Sequence, residues 1–89
     1  MKHARTDYDR IQDPAGKIPA DEPVFLLRAQ DQTAADTVEY WIRQNKKLLK
    51  TAKKTLTPLE LMGRKKALIL AEAHVYRMKE WTPQKPADA

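Results

Sequence analysis

At 89 residues the chain allows one domain at most, and a fold this small is marginal without a staple because so much of its surface stays exposed. It contains neither cysteine nor serine, which excludes disulfides, thiolate metal sites and two common catalytic nucleophiles. The net charge of +5 is uneven: residues 1–45 hold six basic and eight acidic side chains, residues 46–66 hold eight cations against Glu60 alone, and residues 67–89 balance.

Residues 1–32 read as an irregular arm. Pro14, Gly16, Pro19 and Pro23 recur too often for a helix, and Asp-Pro and Ala-Gly are turn chemistry. Tyr8, Ile11 and Ile18 supply apolar side chains that can dock on a core. Val24-Phe25-Leu26-Leu27 suits either a helical turn or an extended segment lying on the helices, and the chain offers no second strand-like run to pair with it. The opening residues, MKHARTDYDR, have no signal-peptide apolar core, and the longest apolar runs, 24–27 and 67–71, fall far short of the roughly 20 residues of a membrane span. The expected setting is the reducing cytoplasm of a host cell, as a soluble protein with no membrane partner.

A first helix is expected over 33–55. Thr33 and Asp36 have capping-box spacing, with Asp31 as a rival cap. Ala34, Val38, Trp41, Asn45, Leu48, Ala52 and Leu56 recur at steps of three and four, and Ile42 and Leu49 widen the stripe. A second helix is expected over 57–81. Thr57-Pro58-Leu59-Glu60 combines a cap hydroxyl, a proline at the first helical position and a glutamate at the box position. Its stripe reads Leu59, Met62, Gly63, Ala67, Leu70, Ala71, His74, Met78 and Trp81, while Leu68, Ile69, Val75 and Tyr76 lie off it. Thr82-Pro83 ends the helix, and 83–89 reads as a disordered tail. The fold class is therefore all-α: an antiparallel two-helix hairpin within one domain, 1–82, with a Pro-rich N-terminal arm. The second apolar face of the later helix needs a cover, either the arm or a second copy. A homo-oligomer is expected, with a dimeric helical bundle favoured. Gly63, on the apolar stripe, points to close backbone approach near Ala52.

The candidate site is the hairpin tip, where Lys46, Lys47, Lys50, Lys53, Lys54, Arg64, Lys65 and Lys66 gather. Such a cluster is a solvated helix end favoured by the macrodipole, or a landing place for an anionic partner. No aromatic residue within 46–66 stands ready to stack on bases, and no Gly-rich loop accompanies the cluster. His74 has too few neighbours of ligand type for a metal and is expected as a hydrogen-bonded histidine in the seam; no metal or other cofactor is called for. Asp7, Asp9 and Asp13 lack the glycine and distal glutamate of a calcium loop and read as solvated acids. Asn45 reads as a buried amide that sets register. Glu72 and Tyr76 form the nearest acid–base pair, without a third orienting group, so no enzymatic activity is expected.

The run Asp13-Pro-Ala-Gly-Lys-Ile-Pro-Ala-Asp-Glu-Pro-Val-Phe-Leu-Leu-Arg-Ala-Gln-Asp31, followed by a helix with Trp41 and a later helix with His74, Met78 and Trp81, resembles a motif of small uncharacterised proteins from bacteriophages, prophages and bacterial genomes. The resemblance covers about 19 residues closely and both helices loosely. It implies a phage-type setting and assigns no activity. In that setting Arg28, Gln30 and Asp31 are candidates to line a groove between arm and hairpin, where arginine and glutamine suit planar or phosphate-bearing ligands. Arg28 paired with Asp21 or Glu22, and Asp31 as a cap, are the structural alternatives. The expected function is that of an accessory binding protein that occupies a host protein or sequesters a small anionic ligand. A nucleic-acid-binding factor using the tip is the alternative, and a virion component a third.

Overall fold

The computed structural model describes residues 2–4 and 13–86. Two helices carry most of the ordered chain: α1 spans Ala34–Ala52 and α2 spans Pro58–Glu80. Two short extended pieces precede them, β1 (Lys2–His3) and β2 (Pro23–Val24), paired in parallel with Lys2 opposite Pro23. That two-residue ladder supplies the partner that the sequence did not reveal for Val24. It packs on neither helix, so the fold remains mainly helical.

Thr57 caps α2 as its sequence dictates. Its hydroxyl accepts from the Glu60 amide at 3.2 Å, and the Glu60 carboxylate accepts from the Thr57 amide at 3.3 Å, with Pro58 at the first position. The start of α1 differs. Thr33 makes no side-chain cap to the helix; its hydroxyl and its amide both donate to Asp31 Oδ1, at 2.7 and 2.8 Å. Asp31 thereby takes the Thr33 amide that the Asp36 carboxylate, a shorter reach than glutamate, would need for the reciprocal box.

The helices lie side by side and run in opposite directions, hairpin-like. Lys46 pairs with Glu72 and Lys79 with Glu39, so a step of seven residues back along α1 matches seven forward along α2. Between them sit Ala34, Ile42, Leu68, Val75 and Met78, the buried core. Ala34 is wholly excluded from water, and the other four keep a small residue of exposure, 5–7%.

The seam follows the expected stripes only in part: Ala34, Ile42, Ala71 and Met78 lie in it, while other members do not. On α2 the inward residues are Leu61, Leu68, Ala71, Val75 and Met78, whereas Leu59, Met62, Leu70, His74 and Trp81 are exposed. On α1 Ile42 and Leu49 turn inward, while Trp41 and Leu48 stay largely in solvent. The expected contact at Gly63 is absent: a Cβ built there meets nothing within 4 Å. Asn45 is half-buried at the margin of the seam and donates to its own helix at Trp41 O, 2.8 Å, so it bridges no second element.

Residues 83–86, expected as free tail, are tied back to the arm. Lys85 donates to Gln30 O and accepts from Gln32 N, both at 2.8 Å. The Gln84 amide donates to Ala29 O and Trp81 O at 2.8 Å and to Met78 O at 3.2 Å. These bonds cover carbonyls at the end of α2 that would otherwise face water. Tyr8, Ile11, Asp7 and Asp9 lie outside the described residues.

Candidate functional site

The tip is formed by the last turns of α1, the connection 53–57 and the first turns of α2. Lys47, Lys50, Lys53, Lys54, Lys65 and Lys66 are all exposed there, and no carboxylate of a described residue pairs with them. Glu60, the acid nearest in sequence, is committed to the capping box; the Thr57 hydroxyl, then the Thr57 amide, hold its carboxyl below the usual carboxylate range. Two of the eight cations point elsewhere. Lys46 is joined to Glu72, and Arg64 borders a groove with Trp41, Asn45, Leu48 and Ala67. The tip proper is therefore a six-lysine surface.

Two long grooves flank the seam, one on each side. The first, an open hollow of about 390 Å³, is bordered by Glu39, Arg43, Lys46, Glu72, Tyr76 and Lys79. Two of its three cations, Lys46 and Lys79, are ion-paired with its two carboxylates, and the third, Arg43, stands 6.0 Å from the Tyr40 ring centre. The bond from Glu39 raises the Lys79 ammonium above its ordinary pKa. An anionic ligand entering there would meet two carboxylates as well as the cations. The second groove, about 210 Å³, is the apolar one that Arg64 borders.

The motif residues Arg28, Gln30 and Asp31 form a turn rather than a shared pocket wall. Asp31 N donates to Arg28 O at 3.0 Å, Gln30 O accepts from Lys85, and the Asp31 carboxylate accepts from the Thr33 hydroxyl and amide, which lower its pKa. Arg28 is exposed and makes no ion pair with Asp21 or Glu22. Asp13 accepts from Ile18 N at 2.7 Å, closing the turn around Gly16, whose φ of 62° suits glycine. His74 is exposed, contrary to its expected place in the seam.

A further surface feature is a row of exposed apolar residues along α2. Leu59, Met62 and Ile69, with Tyr76 at the rim of the charged hollow, are 65% to 78% exposed along α2. Their steps of three, seven and seven keep them on one face. The β1–β2 ladder does not pack on α2. The presence of apolar residues off the main stripe was visible in the sequence; which set would turn outward was not. The ion pairs Lys46–Glu72 and Lys79–Glu39 become legible only when the antiparallel register is known.

Comparison with protein-family models, with curated proteins and with solved structures found no match to this chain. No helix among the described residues is long and apolar enough to cross a membrane.

Proposed function

We propose that this chain is a non-catalytic accessory protein, of the phage type that its 13–31 segment resembles, which acts by occupying another protein. The observation that carries the reading is the outer stripe of α2. A helix with apolar residues on every side is normally buried on more than one side, and α1 covers only one. Leu59, Met62, Ile69 and Tyr76 have the spacing with which an amphipathic helix enters a groove on a partner. Sequestration of a small anion is the weaker version, because the charged hollow is open and two of its three cations are already paired with Glu39 and Glu72. Self-association as a dimeric bundle belongs to the same reading.

The test is affinity capture from host lysate by the intact chain and by Met62→Lys/Ile69→Lys/Tyr76→Lys, whose substitutions lie on exposed positions. The expected result is one dominant partner held by the wild type and released by the variant, with helical content unchanged. Equal capture by both proteins, or no dominant partner, would sink the reading.

A second reading has its own support in the six exposed tip lysines, which form a surface for a polyanion such as nucleic acid. Its measurable consequence is a whole-molecule electrostatic one, taken up in the Discussion.

A further inference from the structure

Between Glu39 and Glu60 the chain carries no acid, and six cations fall there: Arg43, Lys46, Lys47, Lys50, Lys53 and Lys54. Within α1, Arg43, Lys47 and Lys50 follow one another at steps of four and three, which sets them in one row, and all three are exposed. At 100° per residue that row points about 120° away from Ile42 and Leu49, which face α2. Residues 29–32 of the arm are bonded to Gln84 and Lys85, at the other end of the hairpin. The row is therefore an outer face of α1, open to solvent.

The helix end does not account for this row. A macrodipole favours cations in the last turn, where α1 holds Lys50 alone. Arg43 and Lys47 precede that turn. Like charges three or four residues apart destabilise a helix, and Arg43 with Lys46, Arg43 with Lys47, Lys46 with Lys50 and Lys47 with Lys50 are all such pairs. Glu72 relieves Lys46. Glu39, four residues before Arg43 and the natural partner for it, is turned to Lys79 instead. No carboxylate of a described residue pairs with Arg43, Lys47 or Lys50. The repulsion stands in the free protein, and a bound polyanion removes it.

The shape and chemistry of the face select among polyanions. A single strand is held in a groove with aromatic rings on which its bases stack. This face is the convex side of a helix, with no aromatic residue from Arg43 to Lys54. Tyr40, one step before the row, already has the Arg43 guanidinium 6.0 Å from its ring centre, and Trp41 borders the apolar groove on another side. Duplex RNA has a major groove too deep and narrow for side chains to enter. Duplex DNA needs no stacking partner, because its bases are paired, and its major groove, about 12 Å wide, admits an α-helix.

From these observations we infer that the outer row of α1, Arg43, Lys47 and Lys50 continued by Lys53 and Lys54, binds the phosphates of duplex DNA, with α1 laid in the major groove and α2 standing off it. The inference rests on the polyanion reading of the tip and moves its centre: Arg43 joins the surface, while Lys65 and Lys66, which stand on α2, lie outside it. The contacts are to phosphates, so affinity depends on salt and not on base sequence.

The experiment is fluorescence anisotropy of the purified full chain with a labelled DNA duplex, a single strand of the same sequence, an RNA duplex of the same length and polyglutamate of matched charge, at salt from about 50 to 200 mM. The expected result is tightest binding to duplex DNA, with a slope of log affinity against log salt that Arg43→Gln, Lys47→Gln and Lys50→Gln each reduce by about 1. Lys65→Gln/Lys66→Gln is expected to keep the wild-type slope. All five positions are exposed, and helical circular dichroism checks that each variant folds. A slope lowered by Lys65→Gln/Lys66→Gln and not by the row variants would return the site to the tip. Single-stranded DNA or duplex RNA bound as tightly as duplex DNA would overturn the groove docking, and polyglutamate bound more tightly would make the partner an acidic protein. Each of these defeats the inference and leaves the polyanion reading standing. No salt-dependent binding to any probe would remove both.

Discussion

Gly63 stands in the second turn of α2 with open space where a side chain would begin. A glycine in a helix interior costs about 0.5–1 kcal/mol relative to alanine, through the freedom it retains when unfolded. Nothing in the helix pair requires its small size. Gly63→Ala is therefore expected to raise stability by about 0.5–1 kcal/mol, seen as a higher urea midpoint with an unchanged slope. Loss of stability would mean that a second molecule approaches that backbone. At this scale the sequence was legible where one residue reaches its partner along the chain. Thr57 and Glu60 found each other as their spacing requires, because both bonds are local. Thr33 did not close a box with Asp36, since Asp31, two residues upstream, accepts from the Thr33 amide that the Asp36 carboxylate would need. Spacing alone does not rank two acceptors.

Leu68 and Ile69 are neighbours of like chemistry with opposite situations: the first is 7% exposed and the second 65%. Leu68→Ala is expected to lower stability by about 2–3 kcal/mol, through lost apolar burial and the cavity left between the helices. Ile69→Ala should change it by no more than about 0.5 kcal/mol. Chemical denaturation of the two variants separates the observed seam from the expected stripe, on which neither residue lay. If Ile69→Ala proves the more damaging, α2 faces α1 by its other side. The existence, type and ends of both helices were readable, with boundaries displaced by one to three residues. The inward face was not. α2 has apolar residues around its whole circumference, so its period marks a helix without choosing a side. On α1 the long stripe through Trp41, Leu48 and Ala52 was real, but Ile42 and Leu49, read as its margin, meet α2.

At the scale of the whole molecule the charge is a dipole of composition, basic at the tip and acidic toward the start of the chain. If the tip binds a polyanion, affinity should fall by orders of magnitude between about 50 and 200 mM salt, as counterions are recaptured. Lys50→Gln, Lys53→Gln, Lys54→Gln and Lys66→Gln together should flatten that dependence in a filter-binding or anisotropy assay with single- or double-stranded oligonucleotides. Binding that ignores both salt and these substitutions would end the nucleic-acid reading.

Local composition was sufficient for what depends on neighbours along the chain: the helical class, the break near Thr57-Pro58, the cap of α2, the lysine-rich tip and the absence of cysteine and serine chemistry. These follow from torsional preference, period and side-chain reach over a few residues. Tertiary structure decided which apolar face meets which, that Lys46 and Lys79 pair across the seam, that β2 lies against β1 and that Lys85 returns to Gln30 and Gln32. Each of those joins residues distant in sequence, and burial is settled by which of several competing apolar faces finds a surface to exclude water with.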